Sequence, residues 1–443
     1  MKTQSIIKPL ACALFAILFI ASYNVLADAA VYYVATTGSD TNAGTLSLPW
    51  RTPSKAWQMA SAGDTVYFRA GTYTINSKVT AANNGTSSSP ITFKNYTGEL
   101  VTFDASGSAI IPFEILRTYH VFDGFTIMSQ GTGVWFGGWG DGDASGGVVQ
   151  NCTFIMTVGY SDNAGAIMAG GDPSYTNFTF QNNTITGPGT GTNSNVAGIW
   201  IDYISNWKIK NNVISGFPQC FYSKHADSVA QTGNEISYNY MYGCNVGIGD
   251  VHNYVLIQHN IINAIALAIR GGNDGGGGSG CKYLTMNHNT LIGVDNPDGG
   301  AIQFEYQGGG VGGCDYFSTN NNIFIARANY EPYSSAQSSP DIVSTMVASD
   351  YNLYPSSTAV THNSTNYSLP SSKSLTSKDG HALSGAPTFT GGSSPSTIAG
   401  YALTSGSVGH NAASDGTDMG ANVSLVGSGS GQRTVAPSSP NLF

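Results

Sequence analysis

Residues 148–154 read VVQNCTF, and the same short phrase returns as FQNNTI (180–185), KIKNNVI (208–214), ISYNYM (236–241), LIQHNII (256–262), TMNHNTL (285–291), STNNNIF (318–324) and SDYNLY (349–354). The final asparagines are Asn151, Asn183, Asn212, Asn239, Asn260, Asn289, Asn322 and Asn352. Apolar residues alternate on either side of each, with the period of two of a short strand. Asparagine tolerates left-handed backbone angles and bonds its own neighbours, so it can turn a corner. The intervals run from 21 to 33 residues, the tightest being Asn239 to Asn260. A constant motif at irregular spacing predicts a solenoid whose coils carry insertions at selected corners. Stacked about 4.8 Å apart, successive asparagines can hydrogen-bond up the axis as a ladder. A β-propeller would want four strands per unit and a longer period. The sequence therefore predicts an all-β, right-handed parallel β-helix.

Composition agrees. Charged residues make up 10% of the chain, with 56 glycines and 24 tyrosines. Strands broken by many turns need this mixture, whereas helices need more Ala, Leu, Glu and Lys. The length alone would suit several globular domains, but a solenoid grows along one axis without enlarging its core. A net charge of −9 argues against nucleic acid as a partner.

The ends differ from the middle. Lys2 and Lys8, the apolar run Leu10–Ala21 and the small residues before Asp28 read as a signal peptide over 1–27. The run is short for a membrane span, so an exported, soluble monomer is expected. Residues 28–80 read as an N-terminal cap and first strands. There Thr52 and Pro53 open SKAWQMASAG as a short plugging helix, with Thr52 as N-cap, Pro53 at N1 and a glycine to close it. The β-helix and its C-terminal loops take 81–423, with long loops and one or two weak strands over 355–396. Residues 424–443 read as a flexible Gly/Ser/Pro-rich tail.

The cysteines keep the same register. Cys281 and Cys314 each lie eight residues before a ladder asparagine, so they share a column on adjacent coils, within disulfide reach. Cys220 and Cys244 begin adjacent coils and form a second candidate pair, leaving Cys152 as a buried stacker rather than a nucleophile.

The strands that precede the asparagine phrases carry the candidate site. They read GIWIDY, CFYSKH, VGIGDV, LAIRGG and AIQFEY. Placing Ile199 and Ile201, Phe221 and Ser223, Val246 and Ile248, Leu267 and Ile269, and Ile302 and Phe304 inward gives two outward columns. One is Asp202, Lys224, Gly249, Arg270 and Glu305; the other is Trp200, Tyr222, Gly247, Ala268 and Gln303. Cations are scarce: residues 118–326 hold five, Lys208, Lys210, Lys224, Arg270 and Lys282. Lys208 and Lys210 fall on the asparagine-side strand. Lys224 and Arg270 share the other face, about 10 Å apart along the axis. The glycines between them would leave a gap for a sugar ring, and Trp200, Tyr222 and Trp135 could stack on its neighbours. His259 and His288 are read as members of the asparagine ladder.

YYVATTGSDTNAGTLSLPWRTPSKAWQMASAGDTVYFRAGTY (32–73) and SSSPITFKNYTGELVTFDASG (87–107) resemble the N-terminal region of secreted β-helix polysaccharide lyases: the pectate-lyase-like, alginate-lyase-like and chondroitinase-B-like enzymes. YALTSGSVGHNAASDGTDMGA (401–421) resembles their common C-terminal ending. The resemblance implies β-elimination on a uronate polysaccharide, with a lysine base and a nearby arginine. Lys224 and Arg270 are the pair that matches, with Tyr222 or His225 to supply a proton to the leaving oxygen. Trp135, Trp200, Asp202, Asp250 and Glu305 are the expected substrate contacts. In those families the lysine and arginine sit on neighbouring coils, and an acidic metal-binding motif precedes the lysine; neither holds here. Calcium is the one cofactor the loops suggest, through Asp141 and Asp143 in WGDGDASGG and Asp274 in GGNDGGGGSG.

Three other functions stay open. Asp202, Asp250 and Glu305 could form carboxylate pairs about 6–9 Å apart, which suit an inverting glycoside hydrolase. A non-catalytic sugar-binding surface protein would use the aromatics alone. A C5-epimerase would share the lyase's first step.

Overall fold

The computed structural model describes residues 29–427 except 139–141, 158–162, 172–174, 192–194, 225–231, 252, 273–280, 294–300, 306–313, 315, 327–332, 336–345, 356 and 363–364. The expected signal peptide and residues 428–443 of the expected tail lie outside the described residues.

The chain winds into three 12-stranded sheets. Sheet I runs from Val31–Val34 to Met346–Asp350, sheet II from Gly71–Thr74 to Leu383–Ser384, and sheet III from Val79–Thr80 to Thr365–Tyr367. Each coil passes through I, II and III in turn, and the strands pair in parallel with the coils above and below. One antiparallel pair, Val360–His362 with Thr365–Tyr367, ends sheet III.

Alternation builds the core. In sheet I the inward column Val66, Phe93, Phe122, Val149, Phe180, Ile209, Ile236, Ile257 and Met286 is in direct register and fully buried. Each such side chain contributes roughly 1.5–3 kcal/mol by leaving water. Its upper members, Thr319 and Ser349, are polar because they face the ladder's top end.

The ladder forms from Asn183 to Asn352, every member fully buried. From Asn212 on, each Oδ1 accepts from the backbone N and the Nδ2 of the ladder residue one coil earlier, as Asn260 does from Asn239 at 2.9 Å in both bonds. Two details differ from the sequence reading. The left-handed residue is the one before each ladder asparagine: Asn182, Asn211, Tyr238, His259, His288, Asn321 and Tyr351 all have φ between 50° and 60°. The first phrase is also shifted by one residue. Asn151 takes the left-handed position and Cys152 the ladder position, its N donating to Asn183 Oδ1 at 3.0 Å. The Cys152 thiol points at Gln150 O, where the other coils place an amide. His259 and His288 accordingly stand beside the ladder, stacked on each other at 4.8 Å, and not in it.

Both expected disulfides, Cys220–Cys244 and Cys281–Cys314, are formed, and Cys152 is buried and free. Helix α1, Pro53–Met59, starts as expected, with Thr52 Oγ1 accepting from Lys55 N. It stops at Ala60 rather than on a glycine. Trp57 on α1 lies flat on Phe93, ring centroids 3.7 Å apart, and covers the open end of the core. Helix α2, Leu369–Thr376, falls where loops and weak strands are expected. Its signal, Ser368 as N-cap followed by Pro370, is legible in the sequence. No helix among the described residues is long and apolar enough to cross a membrane.

The C-terminal segment turns back and runs down the outside of sheet II as a strap. Gly420 N bonds Asn321 O at 2.7 Å, and Gly427 N bonds Tyr238 O at 2.9 Å. Phe389, Tyr401, Leu403, Met419 and Val426 cover Tyr240, Ile261, Ile323 and Leu353. One coil below Val213 the outward column turns to Thr184, Thr153 and Thr126, and the strap's apolar cover stops short of it. Asn422 N also points at His259 Nδ1, which must be neutral to accept. Burial, reinforced by His288, pushes His259 down to about 4. A histidine depressed below its ordinary value of about 6.5 contributes stability that is present above pH 6.5 and lost as pH falls toward 4. His259→Tyr, using the residue found at this position in Tyr238 and Tyr351, should flatten the pH dependence of the melting temperature across that window. An unchanged slope in the variant would refute the assignment to His259.

Candidate functional site

Sheet III carries the candidate site on its outer face. Its register is Trp135, Met168, Trp200, Tyr222 and Gly249 in one outward column, continued by Arg270 and Gln303. The next column holds Gly137, Gly170, Asp202 and Lys224. Lys224 and Arg270 thus share one face, two strands apart, but stand in adjacent columns. The expected alignment slipped because strands in the middle coils place two consecutive residues inward. A Cβ at Gly247 would meet Ile262 Cγ2, and Ala268 lies fully buried in the core beside Ile269. Gly247 and Ala268 are therefore interior. Val246 and Leu267, expected inside, stand in the outward column begun by Ala197 and Gln219.

The expected glycine gap is filled. A Cβ at Gly249 would collide with the Gln219 amide oxygen, which also accepts from Arg270 Nη2 at 3.4 Å. The aromatics are covered too. Trp135, Met168 and Trp200 are each 5% exposed and Tyr222 2%, packed together with Ala197 and Ile111. They form an apolar patch on the outer face rather than an open stacking platform. The Tyr222 hydroxyl bonds Asn195 Oδ1 at 3.4 Å.

Arg270 grips Asp250 through two bonds, Nε to Oδ1 at 2.8 Å and Nη2 to Oδ2 at 3.2 Å, with both side chains largely buried. Asp250 reaches it because its backbone is left-handed, φ 50°, at the irregularity in the pairing of Val246–Val251 with Leu267–Gly272. A non-glycine residue held there marks a place where the fold re-aims a side chain. Removing the arginine would strand a carboxylate away from water. Arg270→Ala should cost about 3 kcal/mol, and Arg270→Ala with Asp250→Ala should recover much of it. Equal losses in the single and double variants by denaturant melts would show the pair uncoupled.

Lys224 is different. Its Nζ donates to Asn163 Oδ1 at 3.0 Å, and among the described residues it forms no ion pair. Asp202, 7% exposed, is its register neighbour one coil earlier. Lys208 and Lys210 lie on sheet I as expected and are paired with Glu235. His225 lies outside the described residues, and Glu305 is placed by its backbone alone, paired with Gly272. Sequence reasoning missed Asn163, Asn195 and Gln219, because the turn and bulge that aim them leave no periodic trace.

Among the described residues no three acidic, histidine or cysteine side chains gather. Asp143 caps its own turn through Ser145 N. Asp141 and Asp274 lie outside the described residues, and no step is derived through a metal.

Residues 32–186 match a family model described as the Pel9A-like, right handed beta helix region. Pectate lyase PEL9 of Emericella nidulans is 43% identical over 76 residues, 17% of this chain and 18% of that protein. The uncharacterized protein YwoF of Bacillus subtilis is 37% identical over 102 residues, 22% of this chain and 21% of that protein. The matches thus span about a fifth of the length of these curated relatives. The crystal structure of pectate lyase Pel9A has a TM-score of 0.55 at 16% identity, covering 88% of this chain and 95% of that one. At that identity the likeness shows the fold. Residues 32–186 are thus a Pel9A-like β-helix region, and the chain shares the right-handed parallel β-helix of a solved pectate lyase.

Proposed function

We propose that the protein acts outside the cell as a polysaccharide lyase, cleaving a uronate-containing chain such as pectate or alginate by β-elimination. The observation that carries this reading is the state of the charged groups on sheet III. Asp250 is neutralised by Arg270, and Asp202 lies beside Lys224, whereas the Lys224 amine touches, among the described residues, the Asn163 amide and no carboxylate. An amine so placed can take the C5 proton. The electron pair then forms the C4–C5 double bond, and the C4 oxygen leaves with a proton. Of the two donors considered, the Tyr222 hydroxyl is buried against Asn195, so the proposal assigns the proton to His225. Arg270, held by Asp250 and Gln219, sits two strands along, where a substrate carboxylate would meet its guanidinium. The local similarity to a pectate lyase supports the same chemistry.

A hydrolase would need two carboxylates poised across the scissile bond. Asp250 is committed to its ion pair, which weighs against that reading. The two disulfides fit an oxidising compartment. Incubation with pectate, alginate and chondroitin should generate the ultraviolet chromophore of an unsaturated uronate. New reducing ends without that chromophore would show hydrolysis instead.

A further inference from the structure

Three tyrosines form an open ladder at the corner where sheet III gives way to sheet I. Tyr254, Tyr283 and Tyr316 stack with ring centroids 4.6 and 5.2 Å apart, and they are 45, 46 and 51% exposed. They occupy one register column of left-handed residues, φ 54°, 57° and 58°. In earlier coils the same column holds Tyr119, Gly146, Asn177, Asn206 and Gly233, and all but the first are residue types for which a left-handed backbone is least strained. Placing tyrosine there is unfavourable twice over, in backbone strain and in apolar ring left in water. Corner geometry alone does not ask for it.

The molecule shows what such a stack does when occupied. At the other end of sheet I, Tyr238, His259 and His288 stack in the same way, and the strap meets them there, with Asn422 N on His259 Nδ1 and Gly427 N on Tyr238 O. The Tyr254 stack carries no such segment among the described residues. Beside it stands Lys282, whose carbonyl accepts from Tyr254 N and whose side chain forms no ion pair among the described residues. On a chain of net charge −9, a cation next to a row of phenols selects for anions that also present hydroxyl and C–H edges.

We propose that the Tyr254–Tyr283–Tyr316 ladder with Lys282 is a binding subsite for an acidic polysaccharide lying along the solenoid axis, outside the reaction site. The ligand class rests on the lyase reading; the site itself rests on the ladder. Tyr254 lies three residues beyond Val251 at the end of the strand that bears Asp250, so one polymer could engage both faces of this corner.

The test is affinity electrophoresis of the full chain in gels containing pectate, alginate or a neutral glucan, run in the Lys224→Ala background so that nothing is cleaved. The variant Tyr254→Asn, Tyr283→Asn, Tyr316→Asn uses the residue that Asn177 and Asn206 supply in the same column, which keeps the fold. It should bind the acidic polymer about tenfold more weakly or worse. Lys282→Ala should weaken binding at low salt and lose the difference at high salt. Equal retardation of parent and triple variant overturns the proposal, as does a parent that none of the acidic polymers retards. A parent dimer that becomes monomeric in the triple variant would make the ladder a contact between copies instead, and would also overturn it. Absence of an unsaturated product from the native chain would count against the lyase reading while leaving the binding result standing.

Discussion

Lys224→Ala should lower turnover of the best uronate polysaccharide by about 10²–10⁴, the usual consequence of removing a general base. The loss should appear in kcat rather than KM, because the amine acts on the proton in flight and contributes little to holding a polymer. Folding should be untouched. Lys224 lies on an outer strand face, and among the described residues its amine bonds the exposed Asn163. Its melting temperature should therefore match the parent's, as for most surface substitutions. Lys224→Arg should not restore activity, since a guanidinium stays protonated and cannot accept the proton. Asp202→Asn should be milder, with the carboxylate acting through its neighbour rather than on the substrate. The hydrolase reading expects the opposite order, with Asp202 and Glu305 indispensable and Lys224 dispensable. Full activity in Lys224→Ala ends the lyase mechanism described here.

The fold was legible because its rule is written once per coil. A buried amide ladder demands asparagine at each step, and no other side chain both donates and accepts along an axis in this geometry. Where the ladder could end on another residue, the sequence misled: Cys152 replaces the amide, and the neighbouring Asn151 imitated it. Cys281–Cys314 followed from the same register, since a constant offset from the ladder fixes a column, and Cys220–Cys244 from their places at the start of adjacent coils. The site was harder to read. Alternation of period two placed Asp202, Lys224, Trp200 and Tyr222 correctly, then failed at Gly247 and Ala268, where two consecutive residues turn inward. Glycine and alanine are small enough to enter the core without an apolar signature, so a bulge there is invisible to hydrophobic pattern. The pairing of Arg270 with Asp250 was hidden for the same reason, because it depends on a left-handed residue inside a strand. Burial of the aromatic column was missed because alternation says which face a ring points to, not what lies over it.

Asn260→Ala in mid-ladder should destabilise the chain by about 3 kcal/mol. Asn260 Oδ1 accepts from Asn239 N and Nδ2, and its own Nδ2 donates to Ile236 O, Gln258 O and Asn289 Oδ1. Alanine leaves the Asn239 backbone N buried with no acceptor, an orphan that costs about 1–3 kcal/mol, whereas Asn239 Nδ2 still donates to Ile209 O and Ser237 O. The ladder's lower end supplies the control. Asn183 Oδ1 takes one bond from the residue below, Cys152 N, so Asn183→Ala likewise orphans a single backbone donor and should cost about as much. Asn260→Asp separates the two roles of the amide. It keeps an acceptor for Asn239 but loses the donors and buries a charge, so it should be severe at neutral pH and ease on acidification as the carboxyl protonates. Urea melts of the three variants against the parent measure these costs. A much smaller loss in Asn183→Ala than in Asn260→Ala would show that something other than the stranded backbone donor sets the cost of breaking the ladder.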